Sequence, residues 1–288
     1  MTENEIKCVG IVVKPNHEEA WNTAGELYEW FEGRGVEVFG KPRRAPEATI
    51  LNEEEVKRFG EKVDLIVVLG GDGTMISSAR LTGVREVLVL GVNYGSLGYL
   101  TEFRIEELYD ALEAIMCGDF DVDSRVMLDA EQWRDGKKIA SGRVLNDVVL
   151  NKAALARIIE IGVKLNEHHV NAFRADGLIV ATPTGSTAYN LSAGGPIVYP
   201  SMRAVTLTPI CPFSLTNRPI VIPDDSEITL TLLNQNEGVV LTLDGQIGHS
   251  MKTRDVVKIR KSGTGFNLVK PKNRNYFDVL RNKLKWGR

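Results

Sequence analysis

The sequence predicts two domains of different class: an α/β domain, with a parallel sheet and flanking helices, followed by an all-β sandwich domain. Three observations predict this. Over residues 1–124, short apolar runs alternate with segments whose apolar residues recur at helical spacing. From residue 125 the pattern changes to closely spaced β-type runs separated by turn signals such as Asp135-Gly136, Glu237-Gly238 and Asp244-Gly245. Near residue 276 helical spacing returns. The expected organisation is an α/β domain over 1–124, a β-sandwich over 125–274, and a helix over 275–288 returning to the N-terminal domain.

The elements follow in order. Ile6 to Val13 reads as a buried strand, and Ala20, Trp21, Ala24, Leu27, Tyr28 and Phe31 form a helical stripe. Val36 to Phe39 is a short strand, Glu53 to Lys62 a helix, Leu65 to Leu69 a third strand. A helix is expected from about Gly73 to Leu81, then a strand at Val87 to Val92. Ile105, Leu108, Ala111, Leu112, Ile115 and Met116 mark another helix. Such alternation gives parallel strands joined by crossover helices, and ligands of such sheets bind beyond the carboxyl ends of the strands. Both glycine-bearing turns, 70–73 and 91–98, fall there. In the second domain, β-type runs are Arg125 to Trp133, Ile139 to Leu150, Arg157 to Leu165, Gly177 to Ala181 and Val205 to Ile210. Pro219 to Ile222, Glu227 to Leu233, Val239 to Leu243, Val256 to Arg260 and Phe266 to Val269 complete the set. Phe277, Leu280 and Leu284 share one face of the final helix.

Composition narrows the function classes. Of 288 residues, 43% are apolar and 25% charged, ordinary for a globular protein. The net charge of -3 and the lack of a basic block argue against nucleic acid or a charged membrane surface as partner. Cys8, Cys117 and Cys211 show no paired spacing, which fits a reducing compartment and gives neither a zinc nor a disulfide framework. His17, His168, His169 and His249 have no metal-ligand spacing, so no metal-ligating residues are assigned. Glu3, Glu5 and Lys7 precede only a short apolar run, unlike a signal peptide, and no long uncharged apolar stretch suggests a membrane span. A cytoplasmic protein is expected.

Four segments can carry chemistry. In Leu69-Gly70-Gly71-Asp72-Gly73-Thr74 a buried strand empties into three glycines with one carboxylate among them. Glycines allow close approach of a ligand, and backbone amides of Gly70, Gly71, Gly73 and Thr74 can cradle phosphate oxygens. A lone acid there can take a proton from a hydroxyl. Neither the P-loop Gly-Lys-Ser/Thr nor the Gly-x-Gly-x-x-Gly spacing is present. The bland alternative is an Asp capping a helix. At Asn146-Asp147 a polar pair interrupts an apolar run; a bulge bonded to its own backbone accounts for it equally. From Arg174 to Tyr189 a buried strand is bracketed by an Arg/Asp/Gly cluster and a hydroxyl-rich loop, an unusual concentration for a mere capped turn. Leu243-Asp244-Gly245-Gln246 reads first as a hairpin turn.

Taken together, these segments resemble the NAD kinase family. The matching pieces are LGGDGT (69–74), GVNYGSLGYLTEF (91–103), LNDVVL (145–150), RADGLIVATPTGSTAYNLSAGGPIV (174–198), LTPICPFSLTNRPIVIP (207–223) and LDGQ (243–246). They stand in family order and span most of the chain. GGDGT alone is shared with diacylglycerol and sphingoid-base kinases, whereas the long block over 174–198 is specific to NAD kinases. A lipid kinase would leave that block unexplained, and a non-catalytic dinucleotide sensor would leave Asp72 without a purpose.

The resemblance implies transfer of a terminal phosphoryl group from ATP, or polyphosphate, to the 2'-hydroxyl of the adenosine ribose of NAD, giving NADP. It implies a divalent cation, magnesium by default, carried largely by the donor phosphates. By matching position, Asp72 takes the ribose proton with Gly73 beside it, and Asn146 and Asp147 bind the dinucleotide's ribose and adenine groups. Arg157, Arg174 and Asp176 line the nicotinamide and diphosphate side. Thr187, Ala188, Tyr189, Asn190, Leu191 and Ser192 hold the adenosine half, and Thr184 and Ser186 belong to the same NAD-binding set. Tyr99, Cys211 and Gln246 complete the pocket. Tyr99 replaces a common Phe, Cys211 a common Ala and Phe213 a common His, and the family varies at Arg157 and Arg174. An even-numbered homo-oligomer, dimer or tetramer, is expected.

Overall fold

The computed structural model describes residues 6–40, 42–44, 53–83, 85–153, 157–234, 238–272 and 274–286. The chain forms two compact units, residues 1–124 with 266–288, and residues 125–265.

The first unit contains β1 (Cys8–Val13), α1 (Glu18–Glu32), β2 (Glu37–Val38), β3 (Arg43–Arg44), α2 (Glu53–Lys62) and β4 (Leu65–Leu69). It continues with α3 (Asp72–Ser78), β5 (Leu88–Asn93), β6 (Phe103–Arg104), α4 (Leu108–Met116) and β7 (Asp121–Arg125). Its helices form because apolar residues recur on one face. Ala20, Ala24, Leu27 and Phe31 of α1 are buried, as are Leu108, Ala111, Leu112 and Ile115 of α4. They pack on the side chains of Val9, Ile11, Val13, Leu65, Val67, Leu69, Leu90 and Val92. Every residue of β1 and β4 is buried, as expected of interior parallel strands covered on both faces. Val13 lies opposite Leu69 and Leu69 opposite Val92, so β1, β4 and β5 end level with one another. The glycine turn after β4 and the loop after β5 therefore emerge side by side.

The second unit contains β8 (Leu128–Arg134), β9 (Lys137–Val144), β10 (Asp147–Lys152), β11 (Ile159–Leu165), β12 (His168–Ala175), β13 (Gly177–Ala181) and α5 (Tyr189–Ser192). It continues with β14 (Ala204–Ile210), β15 (Ile220–Pro223), β16 (Ile228–Leu232), β17 (Val239–Leu243), β18 (Ile247–Met251) and β19 (Val256–Lys261). Two six-stranded sheets result, in the orders β15-β14-β13-β10-β17-β18 and β12-β11-β16-β19-β8-β9. Their facing side chains, among them Val148, Leu150, Leu178, Val180, Ile161, Leu230 and Val257, make one apolar core. On the other face of the first sheet, Val149, Ile179 and Ala181 form a smaller cluster with Ala193 and Ile210.

The chain then adds β20 (Phe266–Lys270) and α6 (Tyr276–Leu284). Here the expected sandwich boundary at 274 is corrected. β20 pairs in parallel with β5, Asn267 opposite Leu88, within the first unit's sheet, ordered β2-β1-β4-β5-β20-β7. Phe266, Asn267, Leu268 and Val269 are all buried, the pattern of an interior parallel strand, and a short apolar run does not reveal which sheet will take it. On α6 only part of the expected apolar face is covered: Leu280 is buried and Leu284 half-buried, while Phe277 is exposed.

Candidate active site

In the first unit the site grows from the end of β4. Gly70 donates its amide to the Val92 carbonyl (2.9 Å), and Thr74 donates its own to the Gly71 carbonyl (2.9 Å). Those two amides are committed to the fold. Gly71 and Gly73 lie between them, and a Cβ on either would meet nothing within 4 Å. Room for a ligand to approach the turn closely is thus left at Gly71 and Gly73.

Asp72 opens α3 and turns its carboxylate onto the loop after β5. Oδ2 accepts the Tyr99 amide at 2.8 Å, while Oδ1 accepts the amides of Leu100 (3.0 Å) and Thr101 (3.3 Å) and the Thr101 hydroxyl (3.3 Å). Charge-assisted bonds of this kind fix a carboxylate firmly. Burial, and next the charge of Asp72, raise the Tyr99 phenol above its ordinary range.

In the second unit the run expected as one strand from Ile139 to Leu150 breaks at Leu145 and Asn146. The cause is Asp244. The turn after β17 is closed by the Gln246 amide on the Leu243 carbonyl (3.0 Å), with φ of +52° at Asp244 and +66° at Gly245. That geometry aims the Asp244 carboxylate at three successive amides, Leu145 (2.9 Å), Asn146 (2.7 Å) and Asp147 (3.1 Å). Thr182 fastens the other side, its hydroxyl on the Leu145 carbonyl (2.6 Å) and its amide on that of Asn146 (2.9 Å). The Asn146 backbone is therefore pinned, and its half-buried side-chain amide makes no hydrogen bond among the described residues. Asp147 is buried, and burial, then the neighbouring Asp244 charge, push its carboxyl up to about 7.

The hydroxyl-rich loop is built on a buried knot. The Ser186 hydroxyl donates to Pro183 (2.6 Å) and accepts the Val198 amide (3.0 Å). Asn190 donates to the carbonyls of Ser186 (3.1 Å) and Pro196 (3.0 Å) and accepts the hydroxyls of Thr206 (3.1 Å) and Thr208 (2.6 Å). Those two side chains face inward and hold the loop's shape. Thr184 is buried beside Arg125 (3.4 Å), and Thr187 bonds the Thr184 carbonyl (3.2 Å). Thr187, Ala188 and Leu191 are half-buried, and Tyr189 and Ser192 are exposed. Elsewhere, Arg157 is exposed just ahead of β11, and exposed Arg174 stacks over the Phe213 ring at 5.2 Å. Asp176 pairs with Lys152 (3.5 Å). Cys211 and Gln246 are exposed.

Two family models match the chain: the ATP-NAD kinase N-terminal domain over residues 9–120 and the ATP-NAD kinase C-terminal domain over residues 145–271. The chain belongs to the NAD kinase family. It is 48% identical over 286 residues to the NAD kinase of Geobacter sulfurreducens, and 46% identical over 282 residues to that of Geotalea daltonii. Each alignment covers 98% of this chain and 99% of the relative. Among solved structures, yeast NADH kinase complexed with NADH superposes with a TM-score of 0.85 at 25% identity, covering 99% of this chain and 89% of that one. The NAD kinase from Archaeoglobus fulgidus in complex with ATP gives 0.72 at 25% identity, covering 96% and 98%. The protein is thus an enzyme of the NAD kinase kind, with that family's fold.

Within the NAD kinase frame, sequence reasoning missed the residues that aim the others. Asp244 passed for an ordinary turn residue, although an Asp-Gly turn opposite an Asn-Asp interruption was the available signal. Gly98 and Thr101 lay inside a matched block without an assigned role. Among the described residues no three His, Cys, Asp or Glu side chains converge as a metal cage. No helix among them is long and apolar enough to cross a membrane.

Proposed function

We propose that the protein transfers the terminal phosphoryl group of ATP to the 2'-hydroxyl of the adenosine ribose of NAD, giving NADP and ADP. The observation that carries this is the Asp72 carboxylate, clamped by three successive amides and flanked by Gly71 and Gly73, where a Cβ would meet nothing within 4 Å. A ribose hydroxyl is a weak nucleophile. Asp72 orients it and receives its proton as the 2'-oxygen bonds to the terminal phosphorus and the bond from that phosphorus to ADP breaks. Gly71 and Gly73 present backbone to the phosphoryl oxygens, so positioning and electrostatics supply most of the rate.

In this reading the first unit handles the phosphoryl donor and the second the dinucleotide. Asn146 offers an uncommitted amide to the adenosine, Asp147 a buried carboxyl to a ribose hydroxyl, and Tyr189 an aromatic face. Ser186 and Asn190 contribute by holding the loop that carries Thr187 to Ser192. Arg157, Arg174 and Asp176 serve the nicotinamide and diphosphate side. Among the described residues no cluster of carboxylates gathers as a cage, which suits magnesium held mainly by the donor phosphates. When bound, that ion neutralises phosphate charge. Free cysteines at 8, 117 and 211 suit a cytoplasmic enzyme.

The test is product formation. The purified protein is incubated with magnesium and either ATP or polyphosphate, together with NAD, NADH or diacylglycerol, and product is identified by mass and phosphorus NMR. NAD carrying a 2'-phosphate is expected. Phosphorylated lipid, a phosphate at another ribose position, or binding without turnover overturns the proposal.

A further inference from the structure

The two oxygens of Asp72 have different surroundings. Oδ1 accepts three donors, the amides of Leu100 and Thr101 and the Thr101 hydroxyl, whereas among the described residues Oδ2 accepts only the Tyr99 amide. A carboxylate oxygen offers about two lone-pair directions. Oδ1 is saturated and Oδ2 keeps one direction open.

The Thr101 hydroxyl has only one way to point. Thr101 is fully buried, and its oxygen accepts a bond from Asn93 Nδ2 at 3.2 Å. Its single proton is then left for Asp72 Oδ1. Asn93, the last residue of β5, is itself fixed: Nδ2 also donates to the Ser96 carbonyl (2.7 Å) and Oδ1 accepts the Gly95 amide (3.1 Å). Without such ties the terminal torsion of an Asp is broad and twofold, so either oxygen can face a substrate.

We propose that Asn93 and Thr101 are positioning residues for the phosphoryl transfer. The chain from Asn93 through Thr101 to Oδ1 sets the rotation of the Asp72 carboxylate and makes Oδ2 the oxygen that takes the ribose proton. This rests on the reading of Asp72 as proton acceptor. Neither residue touches substrate in this scheme, so the effect falls on turnover rather than on binding.

The experiment uses the full chain and steady-state kinetics with NAD, ATP and magnesium. Thr101→Ala is expected to lower kcat by about 10- to 100-fold, the scale of a misoriented catalytic group, with KM for NAD within about 2-fold. Thr101→Ser, which keeps the hydroxyl, is expected to retain kcat within about 2-fold. In an Asp72→Ala background Thr101→Ala is expected to cost nothing further, since a positioning residue has nothing left to position. Equal losses in the Ser and Ala variants, or a full additional loss in that background, overturn the inference. If Thr101→Ala does not fold by circular dichroism, Asn93→Ala carries the same expectation: lower kcat, unchanged KM for NAD, no added cost without Asp72. An inactive wild-type protein refutes the function itself, whereas an active one indifferent to these changes refutes only the positioning role.

Discussion

Gly98 lies so close to Asp72 that a Cβ built on it would overlap the Asp72 Oδ1. Its φ is not positive, so backbone freedom is not what the position requires. It requires space. The loop after β5 can fold over the carboxylate, and deliver the amides of residues 99–101 to it, only if residue 98 has no side chain. Gly98→Ala is therefore expected to displace the loop or rotate Asp72. Turnover should fall at least about 100-fold, the scale of a misplaced reacting group, while overpacking costs about 1–3 kcal/mol of stability. Rates and thermal melting measured on one preparation check this. Near-normal turnover would mean that the carboxylate does not work from this position.

Asp72→Asn is not a silent isostere here. A carboxamide has one acceptor oxygen, and its NH2 group would face either the Tyr99 amide or the donors on Oδ1. Turnover is expected to fall by about two to four orders of magnitude, the usual range for a general base. NAD binding should be largely kept, because most of the proposed dinucleotide contacts lie in the second unit. Amide exchange at residues 99–101 should quicken. A variant with normal kcat would remove Asp72 from the chemistry.

The strands and helices were legible because their apolar spacing is strong. Leu65–Leu69, Gly177–Ala181 and Val239–Leu243 match the sequence reading residue for residue. The candidate site was legible at Asp72 and Asn146 as a local anomaly, a polar group interrupting an apolar strand or its end. What sequence did not reveal is set by pairing across the chain. Asp244 holds amides about a hundred positions away, and nothing local marks it apart from any other Asp-Gly turn. Ser186 and Asn190 looked like ligand contacts because they are polar in a polar loop. Their partners, Thr206 and Val198, appear only once the strands are laid side by side. The assignment of β20 failed for the same reason, since its sheet is chosen by β5.

Asp147 makes stability depend on pH. Its carboxyl is raised from an ordinary value of 3.8 to about 7 by burial and then by Asp244. Between about pH 4 and pH 7 the folded state holds a proton that the unfolded state has released, so unfolding releases it. The stability this proton confers is present at low pH and is lost as pH rises through 7. The size is on the order of a few kcal/mol at most. Asp147→Asn should flatten that part of the curve, leaving a smaller decline in chemical-denaturation stability from pH 5 to pH 7.5. An identical slope in wild type and variant would place the proton elsewhere.

Asn146→Ala and Tyr189→Ala are expected to raise the KM for NAD more than that for ATP. The Asn146 backbone is held by Asp244 and Thr182, so removing its side-chain amide should leave the turn intact. Losing one hydrogen bond to a neutral group costs about 0.5–1.5 kcal/mol, or roughly 2- to 13-fold in KM. Tyr189 is 43% exposed, and its loss should not disturb packing. A selective rise in the KM for ATP would assign these residues to the other substrate.

The second unit is expected to pair with a second copy of itself. Five of the eleven large apolar side chains exposed among the described residues, Tyr199, Met202, Phe213, Leu215 and Val221, fall between residues 199 and 221. That segment runs into β15, an edge strand of its sheet. Phe213 and Leu215 are 68% and 87% exposed, more than a solitary chain gains from. An open edge flanked by apolar side chains invites pairing, and closed symmetry favours even-numbered assemblies. A dimer or tetramer is therefore expected. Leu215→Glu together with Phe213→Glu should weaken the assembly by burying charge at the contact. Activity should fall with dilution if Arg157 or Arg174 serves a neighbouring chain. Light scattering and turnover over one dilution series test both points. A fully active particle of 31.9 kDa, the mass of one chain, at every concentration would refute the assembly and leave the exposed apolar segment for another partner.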